Sequence, residues 1–276
     1  MWFGLFICTL SALWAAPVLA GAWTLDRGKT STFVASTFTY GDHGFDDDGN
    51  LVKVPEYQKF VLSGALEYGV RPWLTAVLRA ELREERMLDA VYTTRLPSPL
   101  FDPTEVTDVT FYDRASRSYA AGGVGARVRL LQASPWVVSG EMLLGSGGLD
   151  SAGLGAPSDG PYLETRALVG ASRTILGRNA YADIAVGYRH RFRDDDADEV
   201  LLDVTLGTQV LPRWMVLAQT FTTVETDGET HYTKASGSLV YSFNDRLRIQ
   251  AGVVGTVHGR NAIRELGGTL SFWWEF

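Results

Sequence analysis

The segment Thr269–Phe276, TLSFWWEF, places apolar and polar side chains at alternating positions. Successive side chains of a β-strand point to opposite faces, so this period of two predicts a strand with one apolar face. Terminal residues of soluble proteins usually have little to pack against. A terminal strand as apolar as this is typical of a barrel in lipid, where the last strand pairs with the first and leaves no free edge. We predict that Leu270, Phe272, Trp274 and Phe276 face lipid, whereas Thr269, Ser271, Trp273 and Glu275 face inward.

The same alternation recurs along the whole chain. In Trp73–Arg83 the even positions are Leu or Ala, whereas the odd positions carry most of the polar and charged residues. Val200–Val210 and Leu247–Gly255 show the same sorting, which a helix would scatter around its axis. Most such segments reach the roughly 9–11 residues that a tilted transmembrane strand needs. We predict about twelve strands, at 30–40, 55–68, 73–84, 117–130, 136–146, 161–172, 179–191, 199–210, 214–225, 231–243, 246–257 and 265–276.

The predicted connections alternate between short turns and longer loops. This alternation is typical of outer-membrane barrels, which have short periplasmic turns and longer external loops. An exported soluble barrel or sandwich is the alternative, but it explains neither the strand lengths nor the turn asymmetry. The prediction is an all-β, transmembrane, antiparallel up-and-down β-barrel in the outer membrane of a Gram-negative bacterium. Aromatic residues after the short turns are predicted to form a girdle at the membrane interface: Trp73, Trp136, Tyr181 and Trp214.

The first twenty residues predict a secretory signal peptide. Trp2–Ala20 is uncharged and ends in Pro17-Val18-Leu19-Ala20, which predicts cleavage after Ala20. The segment lacks a basic residue at its start, and a membrane anchor of this length is the alternative. The only cysteine, Cys8, lies within it. The predicted domains are therefore a signal peptide at 1–20 and an outer-membrane β-barrel at 21–276.

Composition and motifs argue against several classes of function. The formal net charge of -7 and the lack of a basic patch argue against nucleic-acid binding. No nucleophile or metal-ligand motif surrounds the four histidines, so we predict neither an enzyme nor a cofactor or metal site. An outer-membrane lipid hydrolase that uses His190 or His231 remains an alternative, because spatial triads leave no sequence motif.

Charged residues on the inward face of the predicted strands are the candidate solute contacts. Both signs occur, so two interpretations stay open: an ion-pair network that stiffens the barrel, or an arginine-biased pore for small anionic or sugar-like solutes. The predicted loop 85–116 could fold inward as a constriction, or pack as a surface loop. The candidates are Lys59, Glu67, Arg79, Glu81, Arg127, Arg129, Glu141, Arg166, Asp183, Arg189, Arg191 and Asp203.

Three segments together resemble the XagA-like family of outer-membrane proteins, often found near exopolysaccharide genes. They are Gly21-Ala22-Trp23-Thr24, Phe45–Val70 and Gly187–Gly207, of which Glu-Tyr-Gly at 67–69 and Tyr-Arg-His-Arg at 188–191 are the most specific. More loosely they resemble a barrel family named for the MetA pathway of phenol degradation, whose members are presumed transporters. The resemblance implies a barrel fold in the outer membrane. Of the charged residues in the matched segments, Glu67, Arg189, Arg191 and Asp203 point inward by the alternation and are candidates for a shared lumen network, whereas Glu199 points outward.

We therefore expect a channel or transporter for a small or polymeric solute, associated with exopolysaccharide. A non-conducting structural or surface-interaction barrel is the alternative. The expected partners are outer-membrane lipids and lipopolysaccharide, the barrel-assembly machinery, and a small-molecule or saccharide solute. The terminal Phe276 is predicted to be the signal that the assembly machinery reads.

Overall fold

The computed structural model describes residues 21–97, 106–147, 160–193 and 197–276. Over these residues it contains twelve β-strands and no helix that is long and apolar enough to cross a membrane. The predicted signal peptide at 1–20 lies outside the described residues. The strands are β1 (Thr30–Phe45), β2 (Leu51–Arg71), β3 (Leu74–Pro97), β4 (Val106–Ala133), β5 (Trp136–Gly147), β6 (Gly160–Ile175), β7 (Arg178–Arg191), β8 (Glu199–Leu211), β9 (Trp214–Glu225), β10 (His231–Ser242), β11 (Leu247–Arg260) and β12 (Ala262–Glu275).

Each strand pairs antiparallel with its neighbours in sequence, and β12 pairs with β1 to close the barrel. At this closing pair Ser31 lies opposite Glu275 and Thr37 lies opposite Thr269. Two further backbone hydrogen bonds, of 3.0 and 2.9 Å, join Thr30 to the terminal Phe276. The predicted strand count, connectivity and closure are therefore confirmed.

The two faces of the sheet differ as the alternation predicts. In β12 the side chains of Leu270, Phe272, Trp274 and Phe276 are exposed on the outer surface, whereas Ser271 and Trp273 are buried inside. Leu, Val and aromatic side chains are exposed in the same alternating way on most of the other strands. Such an apolar outer surface is stable only where it meets lipid or another apolar surface.

The barrel has a turn end and a loop end. We define the turn end by the five short connections near residues 72, 134, 176, 212 and 244, and the loop end by the remaining connections. At the turn end Leu176 and Gly177 both have positive φ, of 53° and 73°, as required in the tight two-residue turns that suit the twist of a hairpin. The first described residue, Gly21, and the last, Phe276, both lie at this end, as predicted.

Three of the four predicted girdle residues lie on the outer surface at the turn end: Trp73, Trp136 and Trp214. Trp214 also packs against Tyr241, which packs against Phe243. Tyr181 was a wrong prediction, because its ring points inward and contacts Trp23. The physical reason is register, since Tyr181 has the same parity as the inward residue Asp183.

The loop end is more regular than predicted. Residues 85–97 and 106–116, predicted as part of a long loop, instead continue β3 and β4 as a paired ribbon from Glu85 opposite Arg117 to Pro97 opposite Val106. The predicted loop at 258–264 shrinks to Asn261 alone, which has a positive φ of 48°. β3 and β4 are therefore longer than the roughly 9–11 residues that a strand needs to cross a bilayer, and they stay paired beyond that length.

Candidate functional site: the barrel lumen

Inward-facing side chains of all twelve strands surround a cavity of about 790 Å³. Its walls include ten of the predicted solute-contact residues: Lys59, Glu67, Arg79, Glu81, Arg127, Arg166, Asp183, Arg189, Arg191 and Asp203. Glu141 does not line the cavity but lies buried behind Arg127 and Arg79. Arg129 holds the inward register position opposite Ser139 and is not among the lining residues.

One side of the lumen, from β2 to β8, carries a continuous series of ion pairs that we call the charged arc. Arg127 lies at its turn-end side and is almost fully buried. Its Nη2 donates to Glu67 Oε1 at 2.8 Å and to Glu141 Oε2 at 2.7 Å. Its Nε also donates to Glu141 Oε2, at 2.9 Å. Because Arg presents donors in a rigid planar fork, it can bind two carboxylates at once.

Glu164 lies at the centre of the charged arc, where it accepts from three arginines. Arg166 Nε donates to its Oε1 at 2.6 Å, and Arg189 Nη2 donates to its Oε2 at 2.7 Å. Arg79 Nη1 donates to Oε1 at 3.2 Å and also contacts Glu141, which joins this centre to the Arg127 pairs. The glutamate side chain is only 2% exposed. A carboxylate buried to this degree is stable only when cations and hydrogen bonds satisfy it.

The arc ends on β7 and β8, where Glu199 accepts from Arg189 Nη1 at 2.8 Å and from Arg191 Nη2 at 2.5 Å. Glu199 is buried and lines the cavity, so the prediction that it points outward was wrong. It has the same odd parity as Asp203 on an unbroken strand, and both therefore face inward. Asp203 pairs with Arg166.

The charged arc is electrically balanced and follows the wall. Its partners lie on strands no more than three apart, so these pairs do not bridge opposite sides of the barrel. The sequence offered a pairing network and a pore as alternatives. In the structure the ion pairs lie along the wall and leave space in the lumen, so the two are compatible. The arc contains five arginines and five carboxylates: Arg79, Arg127, Arg166, Arg189, Arg191, Glu67, Glu141, Glu164, Glu199 and Asp203.

On the opposite side, β9 to β12 and β1, the polar lining residues are mostly uncharged Thr, Ser and Gln, and we call this side the hydroxyl arc. Here Gln250 Nε2 donates to Ser238 Oγ at 2.7 Å, and Thr37 Oγ1 donates to Thr269 Oγ1 at 3.0 Å. Hydroxyl groups both donate and accept, so they can exchange partners with water or a solute at little cost. Sequence analysis missed this arc because it searched for charges alone.

Two lysines and one glutamate form the main charged group on the hydroxyl arc, joining it to β2. Lys59 Nζ donates to Glu265 Oε1 at 2.5 Å, and Lys234 Nζ contacts the same oxygen. Thr39 Oγ1 donates to the other oxygen, Oε2, at 2.5 Å. Two ammonium groups share one carboxylate, so this lysine bridge leaves one positive charge uncompensated among the described residues.

The N-terminal segment Gly21–Leu25 enters the lumen from the turn end. Its backbone is held by inward side chains: Arg127 Nη1 donates to the Trp23 carbonyl at 3.1 Å, and Thr75 Oγ1 accepts from the Leu25 N–H at 2.8 Å. The Ala22 N–H donates to Asp183 Oδ2 at 2.8 Å, and its carbonyl accepts from Ser139. Nothing in the alternation pattern signals that a segment before the first strand folds inward, and sequence analysis missed it.

The N-terminal segment completes an apolar floor across the turn end of the lumen. Ala22 and Trp23 pack with Val137, Leu168 and Ala185. On the hydroxyl side Leu217, Val240 and Trp273 form a second buried cluster with Phe33 and Tyr181. A Cβ at Gly170 would lie 2.6 Å from the Trp23 ring, so glycine is required for this packing. These packed side chains therefore narrow the turn end of the cavity.

All four histidines lie at the loop end, where His43 contacts Asp42, His190 contacts Asp198 and His231 contacts His258. His190 Nδ1 lies 3.0 Å from Asp198, which also accepts from the Tyr188 hydroxyl. Partial desolvation raises the pKa of Asp198, but hydrogen bonds from Tyr188, the Arg191 N–H and His190 outweigh it and lower this pKa to about 2. Within the described residues His190 has no serine or threonine hydroxyl among its hydrogen-bond partners, and His231 pairs with His258. A lipid hydrolase would need a nucleophile beside one of them.

Comparison with known proteins bears on the fold. No family profile matches the sequence, and no curated protein matches it. An outer membrane channel from Pseudomonas putida F1 superposes with a TM-score of 0.58 at 14% identity, over 92% of this chain and 98% of that one. NanC porin superposes with a TM-score of 0.52 at 8% identity, over 88% of this chain and 98% of the porin. The translocator domain of the autotransporter NalP from Neisseria meningitidis superposes with a TM-score of 0.51 at 9% identity, over 91% of this chain and 90% of that domain. At such identities the likeness establishes architecture: the chain has the closed twelve-stranded fold of outer-membrane β-barrel proteins.

Proposed function

We propose that this protein is a passive outer-membrane channel for small polar solutes. The observation that carries the proposal is the 790 Å³ cavity with polar walls inside a barrel whose outer surface is apolar. A barrel of eight strands is filled by its own side chains, whereas sixteen or more strands leave an open channel. With twelve strands, the wall-bound ion pairs leave the centre of the lumen unoccupied by the described side chains.

Polar atoms in the floor support a path for solute through the turn end. Tyr181 Oη and Trp273 Nε1, which belong to the second cluster of the floor, are buried without a hydrogen-bond partner in the described protein. An unsatisfied buried polar group costs about 1–3 kcal/mol. If the floor were permanently closed, apolar residues in place of these polar groups would make the protein more stable. A floor through which water or solute passes would use them as hydrogen-bonding positions.

The wall chemistry favours small solutes that are neutral or carry limited negative charge. The charges of the charged arc satisfy one another, so a solute gains little by displacing them. The hydroxyl arc offers exchangeable donors and acceptors, and the lysine bridge contributes its uncompensated positive charge. Sugars and small hydroxylated carboxylates meet these conditions. The resemblance to the XagA-like family adds an exopolysaccharide-related cargo to the proposal.

We place the loop end outside the cell and the turn end in the periplasm, as in barrels with short periplasmic turns. In this orientation the outer surface contacts membrane lipid, and the loops meet lipopolysaccharide. Phe276 remains our proposed signal for the barrel-assembly machinery, since its side chain is accessible on the outer surface beside Trp274.

Liposome swelling with uncharged sugars of increasing size tests the proposal. Proteoliposomes should swell in a small monosaccharide faster than empty liposomes, with a rate that falls steeply for trisaccharides. Trp23→Ala should raise the rate because it opens the floor, whereas Trp136→Ala, on the outer surface, should leave it unchanged. If neither the wild type nor Trp23→Ala causes swelling, the channel proposal is refuted and the non-conducting barrel is favoured.

A further inference from the structure

The carboxylate of Asp183 has no cationic side chain as an ion-pair partner among the described residues, although it is only 5% exposed. The one hydrogen bond that it accepts comes from the backbone N–H of Ala22, at 2.8 Å. Other buried carboxylates of the lumen, such as Glu164 and Glu67, each accept from at least one arginine. A buried charge without a counter-ion is strongly destabilising, so the isolation of Asp183 requires an explanation.

Gly21 lies directly against this carboxylate. A Cβ built on Gly21 would be 2.5 Å from Asp183 Oδ2 and 3.2 Å from Oδ1. Only a residue without a side chain can bring its backbone so close, and the φ of 154° at Gly21 is also one that other residues rarely adopt. Gly21 also lines the cavity.

We propose that cleavage after Ala20 supplies the missing cation. A signal peptidase would hydrolyse the peptide bond between Ala20 and Gly21, with water adding its hydroxyl to the Ala20 carbonyl carbon and a proton passing to the new amine. The freed α-amino group of Gly21 is an ammonium at neutral pH. It pairs with Asp183 and anchors the N-terminal segment in the lumen.

The remaining contacts of the segment fix where the ammonium arrives. Arg127 holds the Trp23 carbonyl, Thr75 holds the Leu25 N–H, and Trp23 packs on Gly170. In a chain that still carries residues before Gly21, the same position holds a neutral amide, which cannot neutralise Asp183. Processing therefore couples removal of the leader to docking of the N-terminal segment at the turn end. This inference concerns the state of the chain terminus and stands whether or not the barrel conducts.

The test is the reactivity of the Gly21 amine in purified protein in detergent. Intact mass spectrometry should first show a chain that begins at Gly21. A limiting amine-reactive ester at neutral pH should then acylate this amine about tenfold more slowly in the wild type than in Asp183→Asn. This factor corresponds to about 1.4 kcal/mol of ion pairing. Asp245→Asn, which alters an exposed carboxylate in a turn at the same end, is the matched control and should react as the wild type does.

A second variant covers the possibility that Asp183→Asn fails to fold. Insertion of one alanine between Ala20 and Gly21 changes no residue of the barrel and moves the ammonium by up to about 3.5 Å. This variant should fold and react as fast as Asp183→Asn. The inference is wrong if the purified chain keeps residues before Gly21, or if both variants react at the wild-type rate. Neither result depends on solute passage, so failure here is distinct from failure of the channel.

Discussion

The charged arc and the hydroxyl arc line opposite sides of one lumen but are built differently. In the charged arc each buried carboxylate is fixed by guanidinium groups, and the pairs continue without a break from Glu67 on β2 to Asp203 on β8. In the hydroxyl arc the hydrogen bonds are short and local, such as Gln250 to Ser238. A network of mutually satisfied ions resists change, whereas hydroxyl groups exchange partners readily. The comparison suggests that one side supports the barrel and the other accommodates solute.

The largest expected difference between the arcs is in stability. Arg127→Met should lower the free energy of unfolding by about 3–5 kcal/mol. The substitution leaves Glu67 buried without its arginine partner, and Glu141 keeps only one of its two arginine partners, Arg79. Urea unfolding in detergent, followed by the mobility shift between unboiled and boiled samples on SDS gels, measures this change. Arg129→Met is the matched control on the same strand and should change stability by less than about 0.5 kcal/mol. Equal losses in the two variants would show that the ion pairs are not the support.

A smaller loss is expected in the hydroxyl arc. Gln250→Leu removes the donor to Ser238 but keeps a side chain of similar volume, so the free energy of unfolding should fall by about 1 kcal/mol. The same urea titration provides the measurement, with Gln58→Leu at an exposed position of β2 as the control. A loss as large as that of Arg127→Met would remove the distinction between the arcs.

The smallest change concerns ion selectivity. Lys234→Gln leaves Lys59 and Glu265 as a neutral pair, so the anion preference of the lumen should fall by at most about fivefold, given roughly 1 kcal/mol for a charge at 4 Å in water. The reversal potential in a potassium chloride gradient measures it. Lys53→Gln, an exposed residue outside the cavity lining, should leave the potential unchanged. An unaltered potential in Lys234→Gln would show that the lysine bridge lies off the ion path.

The alternation of side chains was sufficient to predict the twelve strands and most of the inward rows, because parity depends only on local backbone geometry. The up-and-down order followed from the alternation of short and long connections, but the outer parts of β3 and β4 were not predicted. The same pattern, applied correctly, also places Glu199 and Tyr181 inside the barrel, because each has the parity of an inward aspartate on its own strand. Both predictions failed because the parity was assigned wrongly. Which arginine pairs with which carboxylate could not be predicted, since partners such as Arg79 and Glu164 lie three strands apart and depend on barrel curvature. The inward path of Gly21–Leu25 was also beyond reach, because it follows from side-chain contacts and not from a periodic pattern.

We propose that the lumen conducts and that the N-terminal segment Gly21–Leu25 narrows its turn end. Single-channel recording in planar bilayers, comparing the protein starting at Gly21 with a variant lacking residues 21–25, tests it most directly. Both proteins should give discrete conductance steps, and the steps should be larger in the variant because Trp23 no longer contributes to the floor. Absence of steps in both proteins, from preparations that show the folded mobility on gels, would contradict it.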